Sequence, residues 1–418
     1  MRVLFLAQRV PYPPDRGDRI TTHHFLRHLL ARGARVRVGC FAEDAVDLDA
    51  AAVLRRDVEA VCAPRVSRRV RRFTSLRGLL RGQPLTLPFF AHRGLARTLA
   101  EWTRRDPPDL VWVYSSGMAQ FALALPPAPV RLMQFAELDS DKWRQFAERS
   151  RGIARAIYAR EARLLLEFER TVARAFTIST VVSEVERDLF RAHIPDVDPL
   201  VLPNGVDVDR FRPGDDARRE PHAAIFTGVM DYEPNVDGIT WFVVHAWPKV
   251  RARVPDARLF VVGSRPVAAV RALHGKDGVE VTGRVPEVPP WLDRAAVAVA
   301  PLRLARGVQN KVLEAMSAGL PVVATPAAAQ GLGAASAGHD GLLVADDADA
   351  IARHVGDLML DPAQARRRGA AAAAFVRAAF RWEHMFAIAD RAIDEALARA
   401  RSAEPRPTGH PHGGAAAR

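Results

Sequence analysis

Short, β-branched apolar runs alternate along this chain with segments of helical period, and the alternation continues almost to the C-terminus. Runs at 3–7, 35–40, 110–114, 130–134 and 176–182 read as strands. Near-continuous apolar residues suit a sheet covered on both faces. Residues 20–31 and 153–175 read as helices; Gly33 stops the first, and Leu164, Leu165 and Phe168 mark the buried side of the second. Ser183-Glu184-Val185-Glu186 is a capping box that opens another helix. A polar stretch at 212–221 interrupts the pattern, which then begins again. Strands follow at 223–227, 258–263, 279–282 and 297–301, with helices at 237–250, 348–359, 362–379 and 382–400. Such alternation specifies parallel sheets flanked by helices, an α/β fold.

The chain has 418 residues, beyond the roughly 250–300 at which one core stops growing. Two domains are therefore expected, 1–205 and 206–380, followed by a helix at 381–400. Residues 401–418 are rich in Pro, Gly and Ala without apolar periodicity, and are expected to be disordered. No apolar run reaches the roughly 18 residues of a membrane span. The run at 3–7 is too short for a signal peptide and reads as a first buried strand. Two cysteines, Cys40 and Cys62, are too few for a disulfide framework or a structural zinc site, which fits a reducing cytoplasm. The net charge is +12, yet no nucleic-acid-binding signature accompanies it, and only four of the 60 basic residues are lysine. The charge instead suits anionic substrates or an anionic membrane.

The densest candidate chemistry lies at 307–325. Val312, Leu313 and Met316 fall at helical spacing within a helix predicted at 308–318, Gly319 ends it, and 321–325 is a strand. Gln309, Asn310, Lys311 and Glu314 remain as polar groups on its first turns. A cation at a helix N-terminus suits a diphosphate, and a carboxylate one turn later suits a ribose diol. The same pattern also fits an ordinary strand–helix unit with a solvated face.

Residues 311–325, Leu202-Pro203-Asn204-Gly205-Val206-Asp207 with Phe211 and Pro213, and Phe380-Arg381-Trp382-Glu383 together resemble retaining glycosyltransferases of family four. Pro11-Tyr12-Pro13-Pro14-Asp15-Arg16-Gly17-Asp18, Asp139-Ser140-Asp141-Lys142-Trp143 and Arg306-Gly307-Val308-Gln309-Asn310-Lys311 are closer to sugar transferases of PEP-CTERM/exosortase exopolysaccharide systems. The resemblance implies a GT-B fold, two Rossmann-like domains facing a cleft, with the last helix crossing back to the first domain. It implies retaining transfer from a nucleotide diphosphate sugar to a saccharide or lipid-linked acceptor, with no metal and no cofactor. Lys311 then faces the diphosphate and Glu314 the ribose. Gly228, Arg265, Arg284, Gln309 and Asn310 are further donor-site candidates, as is Gly17 in the first domain. Arg306 stands where the family commonly has a first glutamate, so donor-sugar contacts fall to backbone or to Gln309.

Glu137 and Asp139, just beyond the strand at 130–134, are the candidates to accept the acceptor proton. Asp139-Ser140-Asp141 also spells a metal motif of a different, single-domain transferase fold. Residues 65–81 interleave arginines with Val66, Val70, Phe73, Leu76, Leu79 and Leu80. This basic amphipathic stretch is readable as a membrane-surface segment or as a solvated face. Two other functions use the same fold class: nucleotide-sugar epimerisation or hydrolysis, and a catalytically inactive nucleotide-sugar-binding scaffold.

Overall fold

A computed structural model describes residues 1–14, 16–305, 307–333 and 338–403, without the side chains of Arg68, Arg77 and Leu80. Among the described residues the strands form two parallel sheets. The first runs β3-β2-β1-β4-β5-β6-β7 and has seven strands. They are β1 Arg2–Leu6, β2 Arg35–Gly39, β3 Ala60–Cys62, β4 Leu110–Tyr114, β5 Val130–Ala136, β6 Ile178–Val181 and β7 Leu200–Val201. The second has six, ordered β10-β9-β8-β11-β12-β13. These are β8 Ala223–Thr227, β9 Arg258–Val262, β10 Val279–Gly283, β11 Val297–Ala300, β12 Val322–Ala324 and β13 Leu342–Val344. In both sheets the chain leaves a central strand in one direction and later returns to its other side. That reversal opens a crevice at the carboxyl ends of the strands.

The apolar pattern anticipates the central strands, which are buried along almost their whole length. It misses the short edge strands β3, β7 and β13, whose burial is partial. The predicted helix at 237–250 is in fact three pieces: Glu233–Trp241, a π-turn at Phe242–Ala246, and Trp247–Arg253. Pro234 and Pro248 each stand in a first turn, where their missing N–H is harmless, and so start helices where periodicity shows only one. Ser183 does cap its helix, accepting from the Glu186 N–H at 3.2 Å.

The final helix spans Trp382–Ala403, so residues 401–403 of the expected tail are helical; the remainder, 404–418, lies outside the described residues. Trp382, Met385, Ala389, Ile393 and Ala396 join Phe25, Leu26 and Leu29 of the first helix, Gly17–Ala31, in the first domain's core. His24 stacks on Trp382 with ring centroids 4.3 Å apart, and Asp390 accepts from His28 and Arg32. The second sheet has its own core.

Chain entry into the second domain is fixed against this helix. The Val206 N–H donates to the Phe380 carbonyl at 2.8 Å. A Cβ on Gly205 would lie 2.7–2.9 Å from the Trp382 ring and Cα. Gly205→Ala is therefore expected to push the final helix off the first domain, costing about 1–3 kcal/mol as overpacking does. Thermal melting should show the loss, and an unchanged melting temperature would refute this packing.

Candidate active-site cleft

At the end of β8 the chain turns through Gly228, whose φ of 153° L-residues rarely adopt. A Cβ there would lie 2.7 Å from Asn235 Nδ2 and 3.0 Å from Lys311 Nζ. On the neighbouring strand a Cβ at Gly263 would run into the Gly228 carbonyl oxygen, 1.6 Å away. Two strand ends thus converge as bare backbone, and the Lys311 ammonium rests against Gly228.

Lys311 is the second residue of the helix Asn310–Ser317, which starts two residues later than periodicity suggests because Gln309 is extended and serves as its N-cap. The ammonium donates to Asn235 Oδ1 and stands 4.4 Å from the centroid of the Phe226 ring. A neutral amide and an aromatic face hold the charge without a direct ion pair to either. Burial pulls Lys311 down to about 7, opposed by the charge of Glu314. Burial likewise pushes Glu314 up to about 7, opposed by Arg210 and Lys311. Both side chains keep part of their surface in contact with solvent. A desolvated cation and carboxylate one helical turn apart, at the carboxyl end of a parallel sheet, are placed to meet a polar ligand.

The first domain supplies the opposite wall. Ala136 takes φ 62°, and the β5–β6 register shifts between Gln134 and Ala136. This bulge re-aims the chain at Glu137. A Cβ on Gly307 would lie 2.8 Å from Glu137 Oε1 and 2.9 Å from Val182 Cγ2, so Glu137 reaches the second domain directly. Asp139 opens the helix Asp139–Arg149; its N–H donates to Glu169 Oε1 at 3.0 Å. Ser116 donates to the same oxygen at 2.8 Å, and burial followed by the charge of Asp139 lifts Glu169 to about 8.

Of the other predicted residues, Asn310 accepts from Asn204 and Gln309 stands at the N-cap position beside it, so both accompany Lys311. Gly17 is the first residue of its helix, and a Cβ there would meet nothing within 4 Å, so the position faces open space. Arg265, at φ 57°, is paired with Asp231 at 3.1 Å; Arg16 in the first domain is lowered chiefly by burial, with Arg9 and then Arg265 adding to it. Arg284 is exposed beyond β10, the strand at the sheet's edge, away from β8. Arg306 lies outside the described residues. Asp141 is buried against Arg144 and Gln145, and among the described residues no group of three or more metal-ligating side chains occurs.

Sequence reasoning missed Asn235, Phe226 and Asn204. Asn235 lies in the first turn of the helix Glu233–Trp241, and nothing in its spacing signals a lysine 76 positions away. The stretch at 65–81 departs from its expected form. Arg71 is buried, its guanidinium 4.0 Å above the Phe41 ring, and is no surface charge. Val70, Phe73, Leu76 and Leu79 are instead exposed, Phe73 by 76%.

Both halves of the chain are similar to known proteins. Residues 17–205 match the family described as a glycosyl transferase 4-like domain, and residues 221–361 match glycosyl transferases group 1. The chain belongs to a GT-B glycosyltransferase family. It is 31% identical over 228 residues to a GDP-mannose-dependent alpha-(1-6)-phosphatidylinositol monomannoside mannosyltransferase of Mycolicibacterium smegmatis, covering 48% of this chain and 58% of that one. A namesake from Mycobacterium tuberculosis is 31% identical over 243 residues, 52% of this chain and 62% of its own length. The chain thus matches less than two thirds of these relatives. Among solved structures, sucrose-phosphate synthase from Thermosynechococcus elongatus superposes with a TM-score of 0.72 at 18% identity, covering 96% of this chain and all of the other. HepE from Anabaena, in complex with UDP-glucose, superposes at 0.64 with 15% identity, over 96% of this chain and all of the other. These likenesses establish the GT-B fold.

Burial gives this family member's Glu314 a testable signature. Its folded value lies above that of an unfolded carboxylate, so stability is lost as the pH rises from the ordinary carboxylate range to about 7, the loss is complete above that, and nothing is lost below the ordinary range. Glu314→Gln should therefore raise thermal stability at pH 8 by roughly 1 kcal/mol and leave it unchanged at pH 4. Equal effects at both pH values would place Glu314 in solvent.

Proposed function

We propose that the protein transfers a sugar, with retention, from a nucleotide diphosphate sugar to a saccharide or lipid-linked saccharide in exopolysaccharide assembly. The observation that carries this reading is the Lys311 ammonium, desolvated against the bare backbone of Gly228 and held by the neutral Asn235. A departing diphosphate brings negative charge to such a site. A preorganised ammonium and helix N-terminus stabilise that charge without a metal. Glu314, one turn on, accepts from a ribose diol. Gln309, Asn310 and Arg265 add donor contacts, and Gly17 leaves room for the ligand on the first domain's side. Glu137 or Asp139 accepts the proton of the attacking hydroxyl. Retention is proposed from the resemblance of the 311–325 segment to retaining transferases.

The relatives named for phosphatidylinositol monomannoside, and a fold neighbour, WaaG, involved in lipopolysaccharide biosynthesis, support a lipid-linked acceptor. So does the exposed apolar surface of the helix Arg68–Ser75 and its neighbour, bordered by Arg69 and Arg72. No helix among the described residues is long and apolar enough to cross a membrane. We place the protein in the cytoplasm, docked at the membrane's inner face.

Screening nucleotide sugars by thermal shift identifies the donor, since a ligand at about 100 times its Kd adds about 2.7 kcal/mol. Donor consumption that requires an added saccharide supports transfer. Epimer or free sugar formed without acceptor would favour an epimerase or hydrolase, and binding without turnover a scaffold.

Lys311→Ala and Glu314→Ala should each weaken binding of the donor's nucleoside diphosphate about ten- to hundredfold while the protein stays folded, the cost of losing a charged hydrogen bond. Parent-like affinity in both folded variants would dismiss this donor site.

Arg69→Gln with Arg72→Gln should reduce affinity for vesicles containing phosphatidylserine by about thirtyfold, each arginine contributing about 1 kcal/mol. Arg71→Gln should instead lower the melting temperature, because its guanidinium is buried among rings. Unchanged vesicle binding in the double variant would remove the membrane from the proposal.

A further inference from the structure

Leu202 to Val206 is the first covalent link between the domains, and it is pinned at both ends. The Leu202 N–H donates to Val181 at 2.7 Å and the Val206 N–H to Phe380 at 2.8 Å, while Gly205 is pressed against Trp382. Asn204, between them, is thereby held in place from behind. Its two amide atoms face different domains. Oδ1 accepts from the Thr21 hydroxyl at 2.7 Å, on the first helix. Nδ2 donates to Asn310 Oδ1 at 3.1 Å, at the start of the helix that carries Lys311 and Glu314. Thr21 is 1% exposed and lies 3.0 Å from the Gly17 carbonyl.

The bridge therefore runs from the first helix, at Thr21, through Asn204 to Asn310. Only a side chain that both donates and accepts can close it without a second residue, and a primary amide does so at fixed geometry. Thr21 and Asn310 are separated by most of the chain and meet through Asn204.

We propose that Asn204 is a positioning residue that locks the N-terminal turn of the Asn310–Ser317 helix, and with it Lys311 and Glu314, in register with the first domain. The bridge sets where the donor-side groups stand relative to the acceptor-side wall at Glu137, without touching either substrate. The consequence for catalysis rests on the glycosyl-transfer reading; the mechanical coupling does not.

Hydrogen exchange on the full chain tests the coupling without any ligand. Asn204→Ala should speed exchange of the amides at 310–317 about two- to tenfold, the range expected for one lost hydrogen bond. Thr21→Val should do the same, although Thr21 belongs to the other domain. The double variant should exchange no faster than either single one, because both remove the same bridge. Affinity for UDP and GDP should stay within about twofold of the parent, while kcat with the donor that the parent consumes falls about two- to tenfold. Thr21→Val leaving this helix unchanged would overturn the proposal, as would additive effects in the double variant. So would loss of UDP or GDP affinity with unaltered exchange, which would make Asn204 a donor contact. If the parent binds no nucleoside diphosphate, the donor reading fails, and exchange alone still decides the role of Asn204.

Discussion

An ammonium kept largely out of water must be given partners in advance, and much of the second domain's local geometry follows from keeping Lys311 there. The strand ends at Gly228 and Gly263 carry no Cβ because a side chain at either would occupy the space of Lys311, of Asn235 or of the neighbouring backbone. Phe226 offers its ring face and Asn235 its carbonyl oxygen, both uncharged. A carboxylate in direct contact would hold the lysine more firmly but would spend its charge before a ligand arrived. The arrangement is locally unfavourable to the empty fold, since burial opposes the charged forms of both Lys311 and Glu314. Large apolar cores under both sheets make such a site tolerable.

The first domain keeps its own unfavourable geometry at the facing wall. Ser115 and Ala136, neither of them glycine, have positive φ at the ends of β4 and β5. Such conformations cost free energy and persist where the surroundings enforce them. Here the enforcement is visible: Glu169, fully buried, accepts from Ser116 and from the Asp139 N–H and ties the two turns together. The carboxylates at Glu137 and Asp139 are thus delivered by strand ends clamped from below, and loop flexibility has little part in placing them.

Arginine is so frequent in this chain that its positions carry little information until the fold is known. Arg19 is buried with Asp47, Arg71 stands over Phe41, and Arg294 stands over Phe260 and Trp291. Many others form surface ion pairs, of little consequence for stability. A guanidinium has flat apolar faces as well as charge, so it packs on aromatic rings as readily as it faces solvent.

The two-domain α/β fold was legible in the sequence because central parallel strands are buried on both faces, and continuous apolar runs record that directly. Lys311 and Glu314 were legible because one short helix holds both, one turn apart, at the end of such a strand. The edge strands β3, β7 and β13 were illegible, being half-buried and short, and so was the start of the Asn310 helix, which an extended N-cap moves. Tertiary structure alone decided that Asn235 holds Lys311, that Asn204 joins Thr21 to Asn310, that Glu137 meets Gly307, and that Arg71 turns inward. Each of these contacts spans tens to hundreds of residues, and local periodicity carries no record of partners that only packing brings together.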